Sequence, residues 1–376
     1  QRFTIKQYKI GCELRASSSE MFILTSCCSK PETRSAQLNV GVFMFYDIAV
    51  VGFGLAGRLA ALELSKQHRI TVFEADDEHT QNSAGKVAAA MLAPLAESVM
   101  CEHDLALLGV DSIARWPAIL DELNSEVFFQ KQGTLVVAHP QDKGDLQSFA
   151  QRIKPLLNFS AKAVNTQQIA DLEPELTGRF NQGLFLPGEA QIDNQAFYKA
   201  SFRLLNKRKV KFVFNQRASI FDNKVNNREF DYIIDCRGLG AKQDQPLRGV
   251  RGEVARLYAP EVNLTRPVRL MHPRYPIYIA PKPNHEYVIG ATEIESQDTG
   301  PATVRSTLEL LSAAYTVHSG FAEARLLNIQ TGLRPAFSDN RPQVKKTNKV
   351  ISINGLYRHG YMLTPALVAQ ALSQIE

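Results

Sequence analysis

The fold is decided by the stretch Tyr46-Asp-Ile-Ala-Val-Val-Gly-Phe-Gly-Leu-Ala-Gly57. Strand-forming residues lead directly into three glycines, and the apolar spacing over about Leu55–Lys66 predicts an amphipathic helix. A second β-rich run, Ile70-Thr-Val-Phe-Glu74, ends in an acidic residue 22 positions after Gly52. This order predicts a strand, a tight turn, a helix and a second strand with an acid at its tip.

The three glycines and the acid each have a separate physical role. Gly52 permits the tight turn, Gly54 lets the backbone approach a pyrophosphate, and Gly57 allows the helix to pack closely on the strand. The free N–H groups and the positive end of the helix dipole would bind the pyrophosphate. Glu74 would accept hydrogen bonds from a ribose diol and repel a 2′-phosphate, which disfavours NADP. The unit therefore predicts a dinucleotide site.

The composition is that of a globular protein with room for two domains. The chain has 376 residues, of which 44% are hydrophobic and 22% are charged. Its formal charge is +5, but residues 1–43 contain six basic and three acidic side chains, which leaves only +2 on the remainder. This balance argues against a nucleic-acid or membrane-surface partner. No run approaches the roughly 18 apolar residues of a membrane helix.

Residues 1–43 are interpreted as an N-terminal extension. We expect the functional start at Met44, because the strand pattern begins two residues later. The five cysteines are odd in number and lack metal-ligand spacing, and three of them lie in the extension. The number and spacing of the cysteines predict that the protein lies in a reducing compartment, the cytoplasm, and that it has no metal site.

The rest of the chain mixes helical and strand patterns. Small side chains over Ser83–Pro94 would let the backbone pack against a flat ligand. Alternation over Arg251–Thr292 predicts an antiparallel sheet, and Gln168–Ile192 is rich in turn residues. Helices are predicted at Glu102–Leu123, Leu146–Leu157, Asn194–Lys207, Ala302–Ala314 and Pro365–Gln374, and strands at Gly133–Ala138, Val210–Phe214, Phe230–Gly238 and Val350–Ile353.

Five further blocks of sequence follow the glycine turn in a fixed order. They are Ala88-Ala-Ala-Met-Leu92, Tyr278-Ile-Ala-Pro-Lys282, Val288-Ile-Gly-Ala-Thr292, Gly332-Leu-Arg-Pro335 and Gly355-Leu-Tyr-Arg-His-Gly-Tyr-Met-Leu-Thr-Pro365. Their order and spacing resemble the FAD-dependent D-amino acid oxidase and glycine oxidase family. The resemblance extends from about Tyr46 to the C-terminus.

The resemblance implies an α/β fold with two interleaved domains. A Rossmann-type FAD-binding domain would comprise residues 44–95, 162–248 and 331–376. An α+β substrate domain, built on the antiparallel sheet, would comprise residues 96–161 and 249–330.

The resemblance also implies non-covalent FAD. The ADP half would lie on the glycine turn, the flavin along the small-residue segment, and the final loop would wrap the ring. The helix after that loop, with Thr364 or Pro365 at its start, would direct its dipole at the flavin N1 and C2 carbonyl. The implied cofactor residues are Gly52, Gly54, Ala56, Gly57, Glu74, Ala89, Ala90, Met91, Ala218, Gly238, Leu356, Tyr357, Arg358, His359, Gly360, Tyr361, Met362 and Leu363.

Charge complementarity and the resemblance together indicate the substrate residues. An α-amino acid presents a carboxylate, for which a bidentate guanidinium is the best single partner. Arg334 matches the family's carboxylate-binding arginine, Tyr278 its active-site tyrosine, and Arg358 a second arginine near the flavin. The family reaction is hydride transfer from the substrate α-carbon to flavin N5, followed by imine hydrolysis and formation of hydrogen peroxide. Positioning then does most of the catalytic work, without a dedicated acid or base.

Three departures from the family pattern leave the substrate open. Pro276 replaces a histidine, Ala90 replaces a glycine, and no aromatic residue follows Gly238. The leading hypothesis is an oxidase of a small amino acid or amine. The alternative is an accessory flavoprotein that modifies a precursor quinoprotein during maturation of a cysteine tryptophylquinone. A non-catalytic FAD scaffold and a nicotinamide-dependent reductase are less favoured, and the oligomeric state is not predicted.

Overall fold

The computed structural model describes residues 44–124, 127–157 and 159–376, so the predicted extension 1–43 lies outside the described residues. In these ranges no helix combines the length and the apolar character needed to cross a membrane. The strands are β1 (Asp47–Val51), β2 (Arg69–Phe73), β3 (Met91–Leu92), β4 (Phe129–Gln130), β5 (Thr134–Ala138), β6 (Lys162–Asn165), β7 (Gln182–Leu186), β8 (Ala190–Ile192), β9 (Lys211–Val213), β10 (Ile220–Phe221), β11 (Lys224–Val225), β12 (Arg228–Glu229), β13 (Tyr232–Asp235), β14 (Arg248–Tyr258), β15 (Val268–Met271), β16 (Ile277–Lys282), β17 (Glu286–Gly290), β18 (Arg325–Ala336), β19 (Gln343–Thr347) and β20 (Val350–Asn354). The α-helices are α1 (Leu55–Leu64), α2 (Ala84–Val87), α3 (Pro94–Glu97), α4 (His103–Glu122), α5 (Lys143–Arg152), α6 (Thr166–Leu172), α7 (Asn194–Lys207), α8 (Val304–Val317) and α9 (Gly360–Leu372).

The glycine turn lies at the centre of a six-stranded sheet with the order β19-β20-β13-β1-β2-β9. The pairs among β20, β13, β1, β2 and β9 are parallel, and only the edge strand β19 is antiparallel. Four of the five residues of β1 are buried, as expected for a parallel strand covered on both faces. The predicted Rossmann-type unit is confirmed.

The second large sheet has eight strands in the order β18-β14-β17-β16-β15-β5-β7-β6. Its pairs are antiparallel except for β15 and β5, which run parallel. Leu310 and Val317 of α8 pack with Ile279 and Ile289 of this sheet in one buried cluster. The predicted antiparallel substrate sheet is confirmed, with one parallel pair that alternation alone did not indicate.

Strand pairing departs from the expected domain division at one segment. Residues 162–248 were assigned to the FAD-binding domain, but β6 and β7 pair in the second sheet, where β7 lies beside β5. β7 lies between β5 and β6, so pairing joins residues 162–186 to the strand 134–138 of the expected substrate domain. Asp47–Glu376 forms one compact unit, so the domain boundaries stay predictions.

The last helix begins earlier than predicted. α9 starts at Gly360, which places Pro365 inside the helix instead of at its start. A proline has no N–H for the carbonyl four residues before it. That carbonyl, of Tyr361, instead accepts a hydrogen bond of 3.1 Å from Trp116 Nε1, and Ala366 N donates to Ser112 Oγ at 3.1 Å. Side chains of α4 thus compensate for the proline, and the helix N-terminus is formed by residues 360–363.

Candidate active site

A cavity of about 1340 Å³ opens between the carboxyl ends of the first sheet and one face of the second. Such a position at the carboxyl ends of parallel strands is where open α/β sheets bind ligands. Two of the expected site residues, Gly57 and Leu363, do not line it. Those that do are Gly52, Gly54, Ala56, Glu74, Ala89, Ala90, Met91, Ala218, Gly238, Tyr278, Arg334, Leu356, Tyr357, Arg358, His359, Gly360, Tyr361 and Met362.

The glycine turn leaves no room for side chains. Gly52 has φ +93°, and a Cβ there would lie 2.5 Å from the carbonyl oxygen of Cys236. A Cβ on Gly57 would lie only 1.9 Å from the carbonyl oxygen of Gly52, whereas one on Gly54 would meet Ser83 Oγ at 3.3 Å. Gly57 therefore acts by close packing behind the turn, while Gly54 borders the cavity at the start of α1.

Glu74 ties the second strand to this turn. Its Oε2 accepts a hydrogen bond of 2.5 Å from Phe53 N, and its Oε1 accepts one of 2.9 Å from Asp76 N. The carboxylate lines the cavity beside Gly52 and Gly54. It therefore fixes the glycine turn and lies where a ribose diol could donate to it.

The small-residue segment forms one wall of the cavity and carries a strained residue. Ala90 has φ +53°, in the left-handed region that favours glycine, which accounts for the glycine of the family pattern at this position. The Ala90 carbonyl accepts from Ile192 N at 3.1 Å, and Lys282 Nζ donates to the carbonyls of Ala89 at 2.9 Å and Ile192 at 2.8 Å. Burial lowers the pKa of Lys282 to about 7. The neighbouring sheet thus holds this backbone in place.

Arg334 is a cation whose described neighbours are neutral. Its Nη2 donates to the carbonyl of Thr292 at 3.1 Å and its Nη1 to that of Arg251 at 3.4 Å. The guanidinium lies over Gly252, where a Cβ would come within 2.3 Å of Nη2. Across the described residues, no carboxylate oxygen lies within 4.0 Å of this group. The glycine on the neighbouring strand thus makes space for a positioned, uncompensated charge in the cavity wall.

Tyr278 extends across the neighbouring strand into the same cavity. It pairs with Gly290, and a Cβ on that glycine would lie 2.6 Å from the tyrosine hydroxyl oxygen. Burial raises the pKa of Tyr278, which keeps the phenol protonated, although the nearby charge of Arg334 acts in the opposite direction. The phenol is therefore available as a neutral hydrogen-bond donor.

Arg358 differs from Arg334 because two carboxylates already surround it. Its Nε lies 2.8 Å from Glu97 Oε2, and its Nη1 lies 2.7 Å from Glu293 Oε2. Glu293 also accepts from the hydroxyl of Tyr357 at 2.6 Å. The charge of Glu97 raises the pKa of Arg358 still further. This arginine lines the cavity, but its charge is neutralised, so the structure does not group it with Arg334 as a free anion-binding site.

Glu97 is the centre of this ionic cluster and was missed from the sequence. It is 7% exposed, and it also pairs with Arg269 Nη2 at 2.9 Å and lies 3.4 Å from His359 Nδ1. Burial opposes its ionisation, but the charges of Arg358 and Arg269 prevail and lower its pKa to about 2. No local motif marks Glu97, because its partners are far away in sequence.

The Glu97→Gln variant should lose stability in a pH-dependent manner. The pKa of Glu97 is lower in the folded chain than its ordinary value of 4.5, so its contribution is complete above about pH 4.5 and is lost as the pH falls towards 2. A shift of this size corresponds to roughly 3 kcal/mol. The measurement is the free energy of unfolding in urea from pH 7 downwards.

The exposed carboxylate Glu295 provides the control, because it pairs with Arg248 at the surface. Glu295→Gln should change the free energy of unfolding by less than about 1 kcal/mol. A gap between wild type and Glu97→Gln that stays constant from pH 7 to pH 3 would contradict the assigned pKa.

The residues of the cavity fit FAD. The crowded turn at Gly52 and Gly54 provides the close backbone approach that a pyrophosphate requires, and Glu74 lies at the tip of β2. Gly360, at the start of α9, also lines the cavity, and the expected dipole contact stays a prediction with a different first helical residue. Gly238 has φ +54° and its carbonyl accepts from Asn354 Nδ2 at 3.0 Å, which fixes a further edge of the cavity.

Comparison with known proteins agrees with this geometry. The chain is 37% identical over 330 residues to the thiamine biosynthesis oxidoreductase ThiO of Rhizobium etli, covering 87% of this chain and 96% of that protein. It is 23% identical to the glycine oxidase of Geobacillus kaustophilus, covering 85% and 90%. The crystal structure of a glycine oxidase from that species superposes with a TM-score of 0.73 at 21% identity, covering 88% and 95%. The glycine oxidase of Bacillus cereus gives a TM-score of 0.74 at 20% identity, covering 87% and 96%.

The family model described as FAD dependent oxidoreductase (DAO) matches residues 47–375. This range includes the glycine turn, the small-residue segment, both large sheets and the final helix. The chain is therefore an enzyme that belongs to the DAO family of FAD-dependent oxidoreductases.

Proposed function

We propose that this enzyme oxidises a carbon–nitrogen bond of a small amino acid or amine with non-covalent FAD. The observation that carries the proposal is Arg334, a guanidinium in the cavity wall whose described neighbours within hydrogen-bonding distance are only backbone carbonyls. A substrate carboxylate supplies the anion that this charge lacks. The names of the relatives, glycine oxidase and a thiamine biosynthesis oxidoreductase, support the same class of substrate.

The proposed roles of the chain are binding and orientation. Arg334 binds the carboxylate, and Tyr278 donates a hydrogen bond from its neutral phenol to the same end of the substrate. The pair of Arg358 and Glu97, with Glu293, holds the loop from Tyr357 and keeps the cavity wall rigid. When bound, FAD would supply the hydride acceptor and the redox chemistry with oxygen. Because these contacts fix geometry, the proposal assigns catalysis chiefly to positioning.

Non-covalent binding of FAD is supported by the state of two potential nucleophiles in the cavity lining, His359 and Cys236. His359 is 2% exposed and its Nδ1 lies towards Glu97. Burial raises the pKa of the Cys236 thiol, so the reactive thiolate is absent at neutral pH. Acid precipitation of the purified enzyme should leave FAD in the supernatant, and flavin that stays with the pellet would contradict this part of the proposal.

The substrate class is tested with purified holoenzyme. Glycine, sarcosine and a series of D-amino acids are supplied in air, and hydrogen peroxide and the keto-acid product are measured. Peroxide from at least one of them, with the corresponding primary amine without a carboxylate as a poorer substrate, is the expected result. Absence of product from the whole series would overturn the proposal.

A precursor quinoprotein as substrate remains a sequence-based expectation, as does a cytoplasmic location. Neither receives support from the relatives, whose names refer to glycine oxidation or to thiamine biosynthesis. Restoration of quinone absorbance in a partner by an enzyme that gives no peroxide with free amino acids would favour the precursor over the small substrate.

A further inference from the structure

Arg58 is a charged side chain inside the protein, directly behind the glycine turn. It is the fourth residue of α1 and is 1% exposed. Its Nη1 donates to the Tyr198 carbonyl at 3.0 Å and to Ser201 Oγ at 3.2 Å, and its Nη2 donates to Thr80 Oγ1 at 3.0 Å. The guanidinium carbon also lies 3.8 Å from the centre of the Phe53 ring and 4.2 Å from that of Tyr198. Each of these partners is neutral.

The charge of Arg58 has no ion-pair partner among the described residues, and the carboxylate of Glu74 acts on it only from a greater distance. In the described ranges of the chain, no carboxylate oxygen lies within 4.0 Å of the guanidinium, and its buried Nε has no hydrogen-bond partner. Burial lowers its pKa to about 10, which still leaves it protonated at neutral pH. A buried charge is costly unless an opposite charge compensates it. An anionic ligand at the adjoining cavity would provide that compensation.

The side chains that contact Arg58 connect it to one part of the cavity wall. Thr80 lines it, and its hydroxyl oxygen accepts from Arg58, so the hydroxyl hydrogen is available for another acceptor. Tyr198 hydrogen-bonds through its hydroxyl to Ser83 Oγ at 2.7 Å, and Ser83 faces Gly54. The backbone of Arg58 is only about 4.5 Å along the helix axis from the first residue of α1. Thr80, Ser83 and Gly54 all line the cavity, and Gly54 directly precedes α1, whose N-terminus is the kind of position that binds a diphosphate.

We propose that Arg58 is the buried counter-charge for the diphosphate of FAD, which it attracts from behind the glycine turn, and that it orients the Thr80 hydroxyl towards the same site. Arg58 does not line the cavity, so it acts through the protein and through Thr80. The charge of a guanidinium in a partly apolar surrounding behind a bound diphosphate should change the FAD dissociation constant by a factor of roughly 10 to 100.

The competing explanation is that Arg58 only ties α1 to α7. Arg208 offers a matched control, because it joins the same two helices at their other end. Its Nη1 donates to the Leu62 carbonyl at 2.7 Å and its Nη2 pairs with Glu122 at 3.1 Å. Arg208 lies outside the cavity lining and has a carboxylate partner. A purely structural arginine should behave like Arg208 when it is replaced.

The test compares Arg58→Gln, Arg58→Lys and Arg208→Gln. The dissociation constant of FAD is measured from flavin fluorescence on dilution of each holoenzyme, and thermal unfolding is followed at saturating FAD. Arg58→Gln should raise the dissociation constant roughly 10- to 100-fold, and Arg58→Lys, which retains the charge, should raise it less than about 10-fold. Arg208→Gln should lower the unfolding temperature while changing the dissociation constant less than about twofold.

Equal weakening of FAD binding by the Gln and Lys variants at position 58 would overturn the proposal, and so would wild-type affinity in Arg58→Gln. If Arg58→Gln yields no folded protein, Arg58→Lys and Thr80→Val are used to test the proposal. Thr80→Val should raise the dissociation constant roughly 3- to 10-fold, and wild-type affinity in this variant overturns the role of the Thr80 hydroxyl. The inference rests on the proposed non-covalent FAD site, and wild-type enzyme that binds no FAD would refute both, whereas tight binding without charge dependence refutes only this one.

Discussion

Replacing Arg334 by alanine should lower kcat/KM for the best amino acid substrate by a factor of roughly 30 to 5,000. The reason is that removal of one partner from a desolvated, hydrogen-bonded ion pair costs about 2–5 kcal/mol. The guanidinium is held by the carbonyls of Thr292 and Arg251 and lies over Gly252, so its position does not depend on the substrate. Most of the loss should appear in KM, with a smaller fall in kcat because the substrate is less well oriented.

Two variants make this result specific. Arg334→Lys retains a charge but loses the planar fork, and it should retain activity between those of the wild type and the alanine variant. Arg325 begins the same strand, β18, and is exposed, so Arg325→Ala should leave kcat/KM unchanged. The flavin absorbance of all three should match the wild type. Arg334→Ala with kcat/KM within about threefold of the wild type would show that the carboxylate binds elsewhere.

The first βαβ part of the fold could be predicted from sequence because its determinants are local. β1, the glycine turn, α1 and β2 occupy a short continuous stretch, and each residue type there is required by the geometry of its own neighbours. The positive φ of Gly52 and the 1.9 Å approach at Gly57 are consequences of that one turn. The candidate residues Arg334 and Tyr278 came from the family resemblance, and the structure brings both to the same cavity.

The errors arose where structure depends on distant partners. β6 and β7 are short and contain turn residues, and they become strands because β7 pairs with β5 and β6 pairs with β7. Pro365 usually signals a helix start, but α9 continues through it because Trp116 and Ser112 of α4 satisfy the freed backbone groups. Neither partner can be recognised from the local pattern of the segment itself.

The ionic cluster shows the same limit within the site. Glu97, Arg269 and Arg358 come from α3, β15 and the loop before α9, so no spacing relates them. The sequence placed Arg358 beside Arg334 as a catalytic cation, whereas the fold surrounds it with carboxylates. We therefore interpret Arg334 as the substrate-binding charge and Arg358 as a residue that holds the cavity wall.

Replacing Gly57 by alanine, behind the glycine turn, should cause the enzyme to lose FAD and much of its free energy of unfolding. The added methyl would lie 1.9 Å from the carbonyl oxygen of Gly52, and the backbone fixes the position of both atoms, so no rotamer change can separate them. Overpacking of this kind lowers the free energy of unfolding by about 3 kcal/mol or more. The backbone must shift to relieve the clash, and this shift displaces the turn on which the pyrophosphate would bind. Urea unfolding and the flavin absorbance of the purified variant measure the two effects.

Gly144→Ala is the matched control for this substitution. Gly144 lies in the first turn of α5, and a Cβ there would meet nothing within 4 Å. The same change should therefore be neutral or stabilising by up to about 1 kcal/mol, since alanine has the higher helix propensity. If Gly57→Ala retained wild-type affinity for FAD and unfolded at the wild-type urea concentration, the close packing of α1 on the turn could not be the reason for a glycine there. The dinucleotide interpretation of the opening motif would then lose its main physical support.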